Sequence, residues 1–132
     1  VEEKVLPALQ AGKVVLSDRY VDSSIAYQAY GRGLGDMVAQ VNAIATGGLV
    51  PDLTVFLDLP PAVGMARKQQ EENHELDRLE QEKLEFHQKV YEGYDALCKK
   101  EPERICRIDA SGTLEEVFGQ IKEALDKILD RA

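Results

Sequence analysis

PDLTVFLDLP, residues 51–60, is the most informative segment of the sequence. In an extended strand this segment has apolar side chains on both faces, four on the first face and Phe56 on the second, since successive side chains point to opposite sides. A strand that is apolar on both faces is typical of the centre of a parallel sheet, which helices cover on both sides. The apolar residues of the first face are Leu53, Val55, Leu57 and Leu59.

Two other segments predict strands, and helical patterns separate all three. KVVLS, residues 13–17, is short and β-branched, and RICRIDA, residues 104–110, has the same character. The order of strands and helices predicts an α/β fold, a parallel sheet between two layers of helices. The segments with helical spacing are residues 1–11, 21–30, 36–46, 61–70, 79–100 and 114–128.

Several residues predict where these helices begin and end. Pro7 implies a kink or a late start in the first helix. Asp36 and Thr113 are placed to cap the third and the last helix, and Gly47 to end the third. The polar run KQQEENHELD, residues 68–77, predicts a surface loop or flap.

The bulk composition excludes several classes of protein. The chain has 132 residues, which suits a single domain, and its net charge of −8 argues against a broad grip on nucleic acid. Since no apolar run reaches the roughly 18 residues of a membrane span, we expect no membrane partner. The first ten residues, VEEKVLPALQ, lack the pattern of a signal peptide. These features predict a cytoplasmic protein.

The few cysteines and histidines point to neither a metal nor a nucleophile. Cys98, Cys106, His74 and His87 show no zinc-ligand spacing. The serine motif G-x-S-x-G of many hydrolases is also missing from the sequence. We therefore expect both cysteines to be free thiols, as in a reducing cytoplasm.

Charged residues follow the first predicted strand directly. Asp18 and Arg19 come after KVVLS, and in parallel sheets ligands bind at the carboxyl ends of the strands. A carboxylate there can hold Mg²⁺, and a guanidinium can clamp a phosphoryl group with two parallel hydrogen bonds. Together they suit phosphoryl transfer, which depends on positioning and charge neutralisation. The dipeptide alone equally allows an ion pair that merely closes a strand end.

Four segments, which together span almost the whole chain, are SDRYVDSSIAYQ with YGRGL (17–34), ATGGLVPDLTVFLDLPPAVGMAR (45–67), LDRLEQEKLEFHQKVYEGY (76–94) and IDASGTLEEV (108–117). In this order they resemble the thymidylate kinase family. The resemblance implies an incomplete P-loop NTPase fold of the nucleoside monophosphate kinase type, and transfer of the ATP γ-phosphate to thymidine monophosphate with Mg²⁺, a step toward thymidine triphosphate. It also implies a homodimer packed through helices on one side of the sheet, which the apolar pattern of residues 36–46 permits.

The resemblance assigns the acceptor side of the site to residues 18–28. Asp18 would support the metal and the P-loop, and Arg19 would bridge the donor and acceptor phosphates. Ser24 and Tyr27 would meet the base and sugar of the nucleotide, and Gln28 would pair with the thymine edge. Many relatives carry asparagine at the position of Ser24, and both side chains form hydrogen bonds. The same residues would also make an ordinary polar helix face.

The resemblance assigns residues 68–78 to the lid that closes over ATP. Arg78 is the lid cation expected to act in catalysis, and Arg67 is expected to bind ATP, although Arg67 could also be a solvated helix residue. Tyr94 could lie beside the acceptor or in the core. The loop after the third strand would contact the adenine through its backbone, and a Gly/Ser turn before a capped helix explains the same residues. That loop consists of Ala110, Ser111 and Gly112.

No P-loop motif G-x-x-x-x-G-K-[ST] occurs in these 132 residues. GRGLGDM, residues 31–37, lacks the lysine. In the family the P-loop strand lies centrally in the sheet, so residues 1–132 are expected to form roughly the C-terminal two-thirds of one kinase domain, inactive alone. Two alternatives remain at this point: a deoxynucleoside kinase, and a non-catalytic relative that only binds nucleotides or dimerises.

Overall fold

The computed structural model describes the backbone of residues 1–72 and 78–130 and the side chains of residues 1–70 and 81–130. Six α-helices, one π-helix and two strands alternate along this part of the chain. In order they are α1 (Val5–Gln10), α2 (Val21–Ser24), the π-helix (Ile25–Gly31), α3 (Met37–Thr46), β1 (Thr54–Asp58), α4 (Pro61–Glu72), α5 (Arg78–Lys100), β2 (Ile105–Asp109) and α6 (Leu114–Leu129). Every described helix is too short or too polar to cross a membrane.

The sheet consists of β1 and β2, which pair in parallel. Thr54 lies opposite Ile105 and Asp58 lies opposite Asp109, so the two carboxyl ends are level. This arrangement confirms the α/β class and both of the strands predicted at residues 51–60 and 104–110. The larger sheet with a helical layer on each face stays a prediction.

The predicted strand at residues 13–17 is wrong. The segment pairs with no other strand in the described part of the chain, and Val14 and Leu16 are 70% and 82% exposed. An apolar, β-branched pattern predicts an extended backbone, but a strand also needs a neighbour to pair with. Full burial of β1 on both faces is wrong for the same reason, since Leu57 is 52% exposed.

Helix α5 covers one face of the sheet and forms the core with β2. Leu97, Cys98 and Ile105 make up the buried cluster, against which Ile25 and Phe56 pack. Burial raises the pKa of the Cys98 thiol, which keeps it protonated in this cluster. The core therefore joins the sheet to α5 and to the π-helix.

The π-helix and α5 approach each other closely at two glycines. A Cβ atom at Gly31 would lie 2.9 Å from the side chains of Phe86 and Val90. A Cβ atom at Gly93 would lie 2.9 Å from the ring of Tyr30. Both contacts are too short for any other residue, so the two glycines set the spacing of these helices.

The single helix predicted at residues 21–30 is two elements, because α2 passes into the π-helix at Ile25. Hydrophobic spacing does not reveal the wider turns of a π-helix. This element is rare in proteins, but where it occurs it is often at a functional site. Gly47 ends α3 with a left-handed φ of 64°, and Thr113 caps α6, as predicted. Asp36 is the N-cap residue of α3, as predicted, but its side chain makes no capping hydrogen bond.

Candidate functional site

Asp18 and Arg19 form an exposed turn between residues 13–17 and α2. Arg19 has a left-handed φ of 67°, which is unusual for a residue with a side chain. The hydroxyl of Ser17 donates a hydrogen bond to the Arg19 carbonyl oxygen at 2.8 Å, and this bond stabilises the turn. The backbone therefore presents both charged side chains to solvent.

The Arg19 guanidinium lies over the ring of Tyr27, 5.2 Å from its centroid. Such a cation–π contact orients a guanidinium without using its N–H donors. The Tyr27 ring is itself supported by Phe86 on α5, with 6.1 Å between the ring centroids. Arg19 is thus held at one position while its donors stay open to a ligand.

Tyr27 forms part of the wall of an open cavity of about 390 Å³ at the carboxyl end of β1. Phe56 and Tyr94 stack against each other there, 4.9 Å apart. Of the predicted acceptor residues only Tyr27 lines the cavity. The polar residues that α4 and α5 contribute to its wall are Lys68, Gln69, Lys83, His87, Tyr91 and Tyr94.

Tyr91 and Tyr94 are anchored in this wall by hydrogen bonds. The Tyr94 hydroxyl lies 2.7 Å from Ser23 Oγ, and burial raises the pKa of Tyr94. The Tyr91 hydroxyl donates to Asp58 at 2.7 Å, and this carboxylate raises the pKa of Tyr91. Both phenols are therefore neutral at pH 7. The structure places Tyr94 in the cavity wall, where it also packs on the core residue Phe56.

Ser24 and Gln28 lie outside the wall of this cavity. The Ser24 hydroxyl accepts a hydrogen bond from Asn42 Nδ2 at 3.0 Å, and Nδ2 also donates to the Val38 carbonyl at 2.8 Å. Gln28 is half-buried in the π-helix. Their predicted contacts with the nucleotide stay predictions.

The predicted ATP-binding residues come together at the carboxyl end of β2. Arg67 donates to the carbonyl oxygens of Ala110 at 3.3 Å and Ser111 at 2.8 Å. Asp109 accepts from the Ser111 amide at 2.9 Å, and the Ser111 hydroxyl lowers the pKa of Asp109. A Cβ atom at Gly112 would lie 2.5 Å from Glu116 Oε2, so any other residue there would displace the exposed Glu116 side chain.

Lid residues fall partly outside the described part of the chain. Residues 68–72 continue α4, residues 73–77 lie outside the described residues, and Arg78 is the first residue of α5. The Arg78 side chain also lies outside the described side chains. The lid and the role of Arg78 therefore stay predictions.

Asp18 is suited to a magnesium ion. No described side chain pairs with its exposed carboxylate, so both oxygens are open to a ligand. Mg²⁺ in phosphoryl-transfer sites takes one or two carboxylates, waters and the substrate phosphates. Among the described residues no group of three His, Cys, Asp or Glu could hold a metal ion.

Sequence reasoning missed several residues of this region. Lys83 and His87 share one face of α5 with the two tyrosines, at spacings of three and four residues, and that polar stripe beside the apolar one was the available signal. Asn42 had no such signal. Its contact with Ser24 joins two helices whose relative position the sequence pattern does not give.

The comparisons with known proteins agree with one another. The thymidylate kinase family model matches residues 1–121. The thymidylate kinase of Latilactobacillus sakei subsp. sakei (strain 23K) is 54% identical over 93% of this chain and 58% of its own length. That of Synechococcus sp. (strain JA-2-3B'a(2-13)) is 50% identical over 100% of this chain and 62% of its own length. The chain thus spans about three fifths of these curated relatives. It belongs to the thymidylate kinase family.

Proposed function

We propose that the protein transfers the γ-phosphoryl group of ATP to thymidine monophosphate. An oxygen of the acceptor phosphate attacks the γ-phosphorus, the bond from that phosphorus to the bridging oxygen breaks, and ADP and thymidine diphosphate leave. The observation that carries the proposal is the position of the Arg19 guanidinium over Tyr27, whose ring lines the cavity. Family membership supports the same reaction.

Arg19 has the properties that this reaction needs. Its side chain makes no hydrogen bond within the described residues, so all of its N–H donors can reach phosphate oxygens. A planar guanidinium can contact two phosphoryl groups at once and neutralise the charge that develops between them. Lys68 and Lys83 add positive charge to the cavity wall. We infer that the acceptor phosphate lies between these lysines and Arg19.

Asp18 would hold Mg²⁺, which neutralises phosphate charge when bound. The Asp18 carboxylate is directly beside Arg19, so the turn offers one anionic and one cationic group to the same phosphates. The left-handed backbone at Arg19 fixes how these two side chains diverge. We propose that the turn as a unit aligns the donor and acceptor phosphates.

The loop at residues 110–112 would receive the adenine of ATP. Arg67 already bonds two of its carbonyl oxygens, which supports a role in shaping the loop. Backbone groups of the loop that remain open could pair with the edge of the base. This assignment gives the two ends of ATP separate anchors, the loop for the base and the turn for the phosphates.

Catalysis would also need a P-loop, which these 132 residues do not contain. A P-loop cradles the β- and γ-phosphates through its backbone amides and lysine. We therefore propose that residues 1–132 alone do not turn over ATP. Both cysteines are free thiols, which supports a location in the reducing cytoplasm.

The test measures ADP release by the product of the complete gene with thymidine monophosphate, thymidine or no acceptor. We expect turnover only with the monophosphate. Preference for thymidine would instead indicate a deoxynucleoside kinase. Nucleotide binding without turnover would indicate a non-catalytic relative. Sustained turnover by residues 1–132 alone would overturn the proposed need for a P-loop.

Arg67→Lys is expected to raise the KM for ATP by about 10-fold, with a smaller change in the KM for thymidine monophosphate. A lysine cannot bridge the Ala110 and Ser111 carbonyls, because its single ammonium lacks the fork geometry of a guanidinium. Steady-state kinetics with each substrate varied in turn measures the effect. Arg32→Lys is the control, since it makes the same exchange at an exposed arginine of the loop after the π-helix, to which no part of the site is assigned. Equal changes in both KM values would contradict the assignment of Arg67.

We propose a homodimer that forms through α3. Met37, Val41 and Ile44 are exposed and share one face of this helix, and Ile44 is 83% exposed. A second copy of the same face would remove this apolar surface from water. Helix α3 also carries Asn42, which contacts α2, so the dimer would form next to the acceptor side of the site.

Ile44→Asp is expected to weaken the dimer by about 100-fold, because it buries a charge at the centre of the interface. Sedimentation equilibrium of the product of the complete gene measures the dissociation constant. Ala39→Asp is the matched control, since it adds the same charge to another face of α3. A dimer that survives Ile44→Asp, or a monomeric unaltered protein, would refute this interface.

A further inference from the structure

Arg104 lies just before β2 and uses every N–H donor of its guanidinium. Nη1 donates to Asp22 Oδ2 at 2.8 Å and to Thr54 Oγ1 at 3.0 Å. Nη2 donates to Asp22 Oδ1 and Glu101 Oε2, both at 2.7 Å, and Nε donates to Glu101 Oε1 at 3.2 Å. A guanidinium with five satisfied donors is fixed in both position and orientation.

Asp22 is the only buried charged residue among the described side chains, with 4% of its surface exposed. It accepts the two bonds from Arg104 and a third from the Thr54 hydroxyl at 3.1 Å. A buried carboxylate is tolerated only where such partners replace water. The pair therefore joins α2 to the residues at which β1 and β2 begin.

Helix α2 is the element that directly follows the turn of Asp18 and Arg19. Asp22 is three residues from Arg19, in the first turn of α2. The Arg19 guanidinium rests on Tyr27, in the π-helix that continues α2. The backbone of the turn and the ring below the guanidinium thus both move with α2. Whatever sets the position of α2 also sets the position of Arg19.

We propose that Asp22 and Arg104 are positioning residues for phosphoryl transfer. They hold α2 against the residues at which both strands begin, so that Arg19 meets the transferring phosphoryl group in line. Small displacements of a reacting group cost up to about 100-fold in rate, even when the altered residue is remote from the chemistry. This inference rests on the proposed kinase activity.

Glu101 provides a control within the same ion cluster. It takes two donors of the same guanidinium, as Asp22 does, but it belongs to the connection between α5 and β2. Asp22→Asn and Glu101→Gln each keep the size of the side chain and remove one charge. A purely structural cluster predicts loss of activity in proportion to loss of stability, whichever acid is changed.

The experiment compares both variants in the product of the complete gene, at a temperature at which denaturant curves show each to be folded. Asp22→Asn is expected to lower kcat by about 10- to 100-fold and Glu101→Gln by less than about 2-fold. Amide hydrogen exchange of residues 17–24 is measured on the same samples. It should accelerate by about 10-fold in Asp22→Asn only.

Two results would overturn the inference: equal changes in kcat for the two variants, or exchange at residues 17–24 that Asp22→Asn leaves unchanged. A different result concerns the proposed function alone. If the unaltered protein phosphorylates no nucleotide, the kinase proposal fails, and the exchange rates of residues 17–24 decide whether Asp22 and Arg104 position the turn.

Discussion

Arg19→Ala is expected to lower kcat for thymidine monophosphate by about 10³- to 10⁵-fold, the range for loss of an arginine that stabilises a phosphoryl-transfer transition state. The exposed guanidinium touches only the Tyr27 ring within the described residues, so its removal leaves no buried group unpaired. The thermal midpoint should therefore stay within a few degrees of the unaltered protein. Steady-state kinetics and thermal unfolding of the product of the complete gene measure both quantities.

Two further variants make this prediction specific. Arg19→Lys keeps the charge but cannot contact two phosphates in a planar geometry, so it should recover only part of the rate. Arg32→Ala removes an exposed arginine from the loop after the π-helix and should leave kcat unchanged. The acceptor assignment would be untenable if Arg19→Ala retained more than about one tenth of the rate.

Arg104→Ala is expected to reduce the free energy of unfolding by about 3–5 kcal/mol, the cost of leaving a buried charge without its partner. Asp22 would keep its carboxylate in the interior and lose both bonds to the guanidinium. Thr54 and Glu101 would lose their bonds to Arg104 as well. Denaturation by urea, followed by circular dichroism, measures the change.

The double variant Asp22→Leu with Arg104→Met separates lost packing from uncompensated charge. Replacement of a buried ion pair by apolar residues of similar size is often neutral or stabilising, so the double variant should be more stable than Arg104→Ala. A double variant as unstable as Arg104→Ala would show that packing dominates.

Arg104 also holds the pKa of Glu101 below its usual range. The stabilisation from Glu101 is therefore present above the unfolded pKa and disappears as the pH falls through the lower folded pKa.

Local patterns predicted the elements that depend on local interactions. The strand at β1, the cap at Thr113 and the left-handed end at Gly47 each follow from a few neighbouring residues. Residues 13–17 show the limit of such patterns. Their composition favours an extended backbone, but a strand also requires a partner from elsewhere in the sequence.

The candidate site was predictable to a similar extent. The resemblance to the family assigned both Arg67 and the loop at residues 110–112 to ATP, and the structure places them in contact. No pattern indicated that Asp22 and Arg104, which are 82 residues apart, form an ion pair. The sequence did not predict the π-helix either, because over so few turns the same apolar pattern fits both a π-helix and an α-helix.

The π-helix at Ile25–Gly31 also affects how the sequence could diverge. Such a segment holds about one residue more than an α-helix spanning the same rise, so loss of a single codon could restore regular winding. Each residue removed from a helix rotates everything after it by about 100°. If the lost residue lies between Tyr27 and Gly31, Tyr27 would keep its place in the first part of the π-helix while Gly31 turned away from α5. Single-codon insertions and deletions here could therefore reshape the cavity beside Tyr27 without any change in the chemistry of its side chains.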